Sequence, residues 1–262
     1  MRMKKVVSLI LSVCLVIVLT TSVAFAGKYS SDISSIMSSF SLQNLTAQSA
    51  PQQEVNGAYR MVELLEIMAR EKRCDESSIS SIMSSYSLQN LTAQSAPQQL
   101  VNGTYRTVEM LELIALKIGC NSSSVSSIMS SFSLQNLTAQ SAVQQSVNGS
   151  YRTVELFELI ALQLGCDSSS VSSIMSSFSL QNLTAQSAPQ QFVNGTYRTV
   201  ELLELIALKI GCDSSSVSSV MSSFSLQNLT AQSAVQQAVN GLYRSVELLE
   251  LITKYIDDDS II

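Results

Sequence analysis

Val193-Asn194-Gly195-Thr196-Tyr197 admits two readings, and the fold follows from the choice between them. Asn-Gly between β-formers is the strongest short-range hairpin signal. The segment stands, however, in a run dense in apolar residues that ends in Leu202, Leu203, Leu205, Ile206, Leu208 and Ile210. The same stretch occurs five times, and its copies differ most at positions 189, 192, 196 and 199. Position 192, for instance, is in turn Glu54, Leu100, Ser146, Phe192 and Ala238. A spacing of 3, 4 and 3 places these positions on one helix face, whereas a strand would alternate by two. The pattern predicts a helix running straight through Asn-Gly, with Gly195 admitting the close approach of a neighbour.

Outward from this segment the chain repeats, from about residue 29 onward. Ile36, Ile82, Ile128, Ile174 and Val220 lie 46 residues apart, as do Cys74, Cys120, Cys166 and Cys212. A fixed period in this range marks stacked-repeat architecture. Asp167 offers an N-cap to a short helix carrying Val171, Ile174, Met175 and Phe178, and Ser179 can cap a second short segment with Leu180 and Leu183. Pro189 suits the first turn of the long helix. At the far end, Gly211 fits a left-handed C′ position, and Cys212 the apolar C″ position of a Schellman ending. The fold class expected is all-α, a right-handed α-solenoid-like stack of five 46-residue repeats at about 29–74, 75–120, 121–166, 167–212 and 213–262. Charge concentrated at Arg70 to Glu76 and at Asp257-Asp258-Asp259 reads as polar caps on the two ends of that stack.

Residues 1–26 read as a targeting segment. Arg2, Lys4 and Lys5 precede an apolar run from Val6 to Leu19, and Ala24-Phe25-Ala26 supplies a small-x-small cleavage site. An uncleaved anchor is the alternative reading, and then the segment would stay in the membrane. The style resembles export signals of Gram-positive bacteria, which implies a secreted protein with no membrane contact after cleavage. Removal of these residues takes away three basic residues and no acidic one, so the net charge moves from −5 to −8. Nucleic acid is thereby disfavoured as a partner. The chain of 262 residues has no His, which excludes His-based nucleophile systems and His-ligated metal sites.

Candidate chemistry is repetitive and mostly bland. The four mature cysteines occupy one equivalent position, and neighbouring units of a helical stack are too far apart for a disulfide. They read as small buried apolar residues. Glu201 and Glu204 recur in every copy, and Arg198 is placed to pair with Glu201 on a solvated face. Neither a catalytic residue, a cofactor site nor a metal site is expected. The possible binding face is the one carrying positions 192, 196 and 199, which stacking leaves free, or the ridge of Tyr59-Arg60, Tyr105-Arg106, Tyr151-Arg152, Tyr197-Arg198 and Tyr243-Arg244 beside it. Tyr and Arg favour interface hot spots, and regular spacing suits an extended glycan or polypeptide. The paired glutamines, such as Gln190-Gln191, read either as part of that surface or as packing between repeats. Asn-x-Ser/Thr triplets such as that at Asn182 matter only in a eukaryotic secretory path.

Gln181-Asn182-Leu183-Thr184-Ala185-Gln186-Ser187-Ala188, with Gln191, Val193 and Tyr197, is similar to a segment of refractile-body ribbon subunits. That resemblance implies self-association at most. The expected function is a secreted, non-enzymatic helical repeat protein acting as a binding or structural scaffold. A self-assembling extracellular fibre or surface-layer element is the alternative, with a cell-wall polymer hydrolase and a multi-copy peptide precursor behind it.

Overall fold

The computed structural model describes residues 27–38, 49–85, 95–131, 139–176, 187–222 and 231–258. Among these it contains ten helices and no strand. The short helices are α1 (Ser30–Ser38), α3 (Glu76–Ser84), α5 (Ser122–Ser130), α7 (Ser168–Ser176) and α9 (Ser214–Ser222). They alternate with the long helices α2 (Ala50–Glu71), α4 (Ala96–Lys117), α6 (Ala139–Gln163), α8 (Ala188–Ile210) and α10 (Ala231–Asp258). The described residues are therefore all-helical in class, and every long helix runs unbroken through its Asn-Gly. The expected targeting segment, the Leu180–Leu183 segment and most of the ribbon-subunit resemblance lie outside the described residues.

Local chemistry explains where the helices begin and end. The carboxylates of Asp75, Asp167 and Asp213 each accept a hydrogen bond of 2.8 Å from the backbone N–H three residues on. Asn121 does the same for Ser124 at 3.1 Å. These bonds satisfy donors that a helix start leaves unpaired. The long helices end in Schellman geometry, with Cys120, Cys166 and Cys212 donating to Ala115, Ala161 and Ala207. Gly119, Gly165 and Gly211 take the left-handed position at φ 92°, 78° and 105°. In the first copy Arg73 must take it instead, at φ 54°, and Cys74 still donates to Ala69.

Each long helix buries three stripes. In α8 the middle stripe is Phe192, Thr196, Thr199, Leu203 and Ile206. One flank carries Ala188, Gly195 and Leu202, the other Val193, Val200 and Ala207. A fully buried leucine such as Leu202 or Leu203 contributes about 1.5–3 kcal/mol of transfer free energy. In an open stack the first and last long helices would each expose one flank. Here they do not. Ala50 and Leu64 on one flank of α2, and Val62 and Ala69 on the other, are all fully buried. So are Ala234, Leu248 and Val246 of α10.

The reason is that α10 packs on α2. The order of contact is α2, α4, α6, α8, α10 and back to α2, a closed ring. Each short helix straddles one seam of the ring, and α1 straddles the closing seam between α10 and α2. The expected right-handed solenoid-like stack is thus corrected to a ring in which both ends of the described chain meet. The polar-cap reading of the ends is corrected with it. Asp257 is 6% exposed and accepts two bonds from the Tyr29 backbone N–H, at 3.0 and 2.9 Å. It fastens the start of α1 to the end of α10. Arg70 lies 2.9 Å from Glu66 and also pairs with Glu76, joining α2 to α3.

Glycine lets the seams close. A Cβ at Gly195 would lie 2.3 Å from Ser150 Oγ, and one at Gly241 2.6 Å from Thr196 Oγ1. At the closing seam a Cβ at Gly57 would lie 3.0 Å from the Leu242 Cβ. The close approach expected at Gly195 is therefore present at three described seams, and in each the glycine receives the residue after the preceding helix's own glycine.

Candidate functional site

The middle stripes of the five long helices meet on the axis of the ring. Near the helix N-termini, Glu54, Leu100, Ser146, Phe192 and Ala238 surround a chamber of about 180 Å³. Further along, Thr104, Thr107, Thr153, Thr196, Thr199 and Ser245 narrow the lumen to about 20 Å³. Toward the C-termini it widens to about 150 Å³ between Leu111, Phe157, Leu203, Ile206 and Ile252. Because each level draws on all five long helices at equivalent positions, those helices run parallel.

Positions 192, 196 and 199 were expected on a face left free by packing. The structure turns that face inward. Phe192, Thr196 and Thr199 are 4%, 3% and 3% exposed, so an extended external ligand cannot reach them. The hydroxyls at these levels mostly serve their own helices. Thr104 donates to Val101, Thr107 to Gly103, Thr196 to Val193 and Thr199 to Gly195, all at 2.9–3.0 Å. A hydroxyl bonded back to its own helix presents its methyl group and remaining lone pairs to the lumen. The lumen was legible in one signal. Positions 189, 192, 196, 199, 203, 206 and 210 alternate by 3 and 4 without a break, the seam of a coiled coil. Small or apolar residues flank that seam on both sides, so each helix needs a neighbour on either hand.

Glu54 is the one lumen residue whose role sequence reasoning missed, although it stood among the variable residues at its level. It is 8% exposed, and burial pushes its carboxyl up to about 8. Among the described residues no other titratable side chain lines its chamber.

The Tyr-Arg pairs sit elsewhere, on the half-buried backs of the long helices. Arg60, Arg106, Arg152, Arg198 and Arg244 pair with Glu63, Glu109, Glu155, Glu201 and Glu247, as expected for the Arg198–Glu201 pair. Burial raises the carboxyls of Glu63, Glu155, Glu201 and Glu247, and the paired guanidinium opposes that rise. Four of the arginines also lie 5.2–5.8 Å from the ring centre of the adjacent Tyr105, Tyr151, Tyr197 or Tyr243. The arginines of this ridge are thus engaged within their own helix. Of the paired glutamines, Gln53, Gln99, Gln145, Gln191 and Gln237 donate to a serine one turn earlier at 2.9–3.1 Å. They tie down the first turn of each long helix.

Cys74, Cys120, Cys166 and Cys212 are buried and unbridged. Burial raises all four thiols, that of Cys212 to about 11, which disfavours the reactive thiolate. Among the described residues no cluster of three or more acidic or cysteine side chains could hold a metal ion, and no helix is long and apolar enough to cross a membrane. Comparison of the chain with protein-family models, with curated proteins and with solved structures finds no match.

Proposed function

We propose that the chain is an exported, non-enzymatic binding scaffold whose ring encloses a small ligand with an apolar body. The observation that carries this reading is the pair of axial chambers, of about 180 and 150 Å³. Each matches or exceeds the roughly 150 Å³ of an apolar cavity that takes up benzene. Packing accounts for the mixture of sizes at each level, because five equal side chains around one axis either clash or leave a pore. Packing does not account for space left at both ends, where filling it would stabilise the fold. Export is supported by the basic, apolar and small-residue order of residues 1–26.

The test uses toluene as a neutral probe of ring size. Toluene is expected to raise the thermal unfolding midpoint of the full chain and to saturate. Ala238→Phe, which places a second phenyl group in the larger chamber, is expected to reduce that rise while leaving the helical circular-dichroism spectrum intact. No toluene-dependent rise in the unmodified chain would defeat the reading.

A further inference from the structure

We propose that the chamber near the helix N-termini binds a primary ammonium ion carrying a compact apolar group, with the Glu54 carboxylate as its counter-ion. The proposal rests on the lumen-binding reading above and names the ligand's chemistry. Glu54 lines the chamber at 8% exposure and makes no hydrogen bond or ion pair with any described residue. A buried charge without a partner is costly, and a buried polar group without one only less so. Nothing in the packing requires it. Equivalent positions hold Leu100, Phe192 and Ala238, so apolar side chains fit the same level of the ring.

The other polar atoms indicate the sign of the ligand. Ser146, at the level of Glu54, spends its hydroxyl proton on the Ala142 carbonyl at 3.0 Å, and at the constriction beyond the chamber Thr104 and Thr196 spend theirs on Val101 and Val193. Among the described residues Ser146 is the one other polar side chain lining the chamber, so beside Glu54 the walls offer an acceptor and no free donor. An ammonium brings three donors to that hydroxyl and to the carboxylate, whereas an anion meets only the O–H of a protonated Glu54. The surrounding walls, including Pro97, Leu100, Val143 and Phe192, suit an apolar body of about one ring.

Among the described residues no second ionisable group lines the chamber to compete for the carboxylate. The next cations along α2, α4 and α10 are Arg60, Arg106 and Arg244, which pair with Glu63, Glu109 and Glu247 and do not line the chamber. Five helix N-termini favour a carboxylate, but that field falls off within the first turn. Glu54 is the fifth residue of α2, and burial dominates, so the empty chamber holds a neutral carboxylic acid near pH 6. When the ammonium enters as a cation, the carboxyl O–H bond breaks and its proton passes to solvent. The carboxylate and ammonium remain as an ion pair, and charge balances.

The experiment is titration calorimetry of the full chain at pH 6 with benzylammonium chloride, in two buffers of different ionisation enthalpy. Toluene serves as the neutral probe of the same shape, and Glu54→Gln as the variant. The expected result is release of about one proton per benzylammonium bound. Glu54→Gln should weaken benzylammonium by roughly tenfold or more and leave toluene unchanged, which also shows that the variant is folded. If toluene binds both proteins but benzylammonium binds them equally, or no proton is released, the ammonium proposal is overturned and the lumen reading stands. If neither probe binds the unmodified chain, both fall.

Discussion

Glu54 departs furthest from its copies in chemistry, and its burial has a consequence for stability in the empty ring. In the unfolded chain its carboxyl titrates near the usual value of about 4.3. In the folded chain it titrates at about 8. Between those values the native state keeps a proton that the unfolded state has released, so stability falls as pH rises and levels off above about pH 8. Asp167 and Asp213 act in the opposite sense. Hydrogen bonds from Ser169 and Ser170, and from Ser215 and Ser216, hold their carboxyls down to about 2. Their contribution is complete above the usual carboxylate range and is lost as pH falls toward 2. The two windows separate. Replacing Glu54 with leucine, the residue at the same level of α4, should therefore stabilise the ring by several kcal/mol near pH 8 and by much less near pH 5. Urea unfolding of both proteins at the two pH values measures the gap. A gap that does not widen with pH would remove Glu54 as its source.

The long helices were largely legible because their signals are local. The cap of Asp167, the Gly211-Cys212 ending and the 3-and-4 spacing all act within one or two turns, and tertiary packing agrees with them. Which neighbour each face meets was not legible in the same way. The face carrying Phe192, Thr196 and Thr199 is polar enough in most copies to pass for a surface, yet it faces an axis where hydroxyls can bond back to their own helix. The glycines mark the seams. A methyl at Gly195 meets the Ser150 hydroxyl, which can rotate away, and then the Ser150 Cβ at 3.2 Å, but a methyl at Gly57 meets the fixed Leu242 Cβ at 3.0 Å. Alanine in a helix gains about 1 kcal/mol over glycine, against an overpacking cost of about 1–3 kcal/mol. Gly57→Ala should accordingly be net destabilising and should lower the thermal midpoint more than Gly195→Ala does. The reverse order would mean that the closing seam is looser than the internal one.

Closure is a property of the whole molecule, and no local signal in the sequence encodes it. The Tyr29–Asp257 contact spans 228 residues, and the acidic C-terminal run from which Asp257 comes looks like any solvated end. What could have indicated a ring is the sameness of the copies: α2 and α10 carry the same two flanks as the internal helices, and α1 carries a buried Ile33 where α3 and α5 carry the buried Ile79 and Val125. Ring and open stack differ in how they respond to the loss of one unit. In an open stack each repeat meets only its neighbours, so a chain ending at Cys212 should lose roughly one-fifth of its unfolding enthalpy and remain a soluble monomer. In the ring the same truncation uncovers Ala50 and Leu64 on α2 and Val193, Val200 and Ala207 on α8, and it deprives α1 of Asp257. Exposed apolar flanks of parallel helices are complementary to one another, so copies of the shortened chain should associate through them. Light scattering is expected to show dimers or larger species for the chain ending at Cys212 at concentrations where the full chain shows none. A monodisperse four-repeat monomer retaining about four-fifths of the unfolding enthalpy would return the molecule to an open stack.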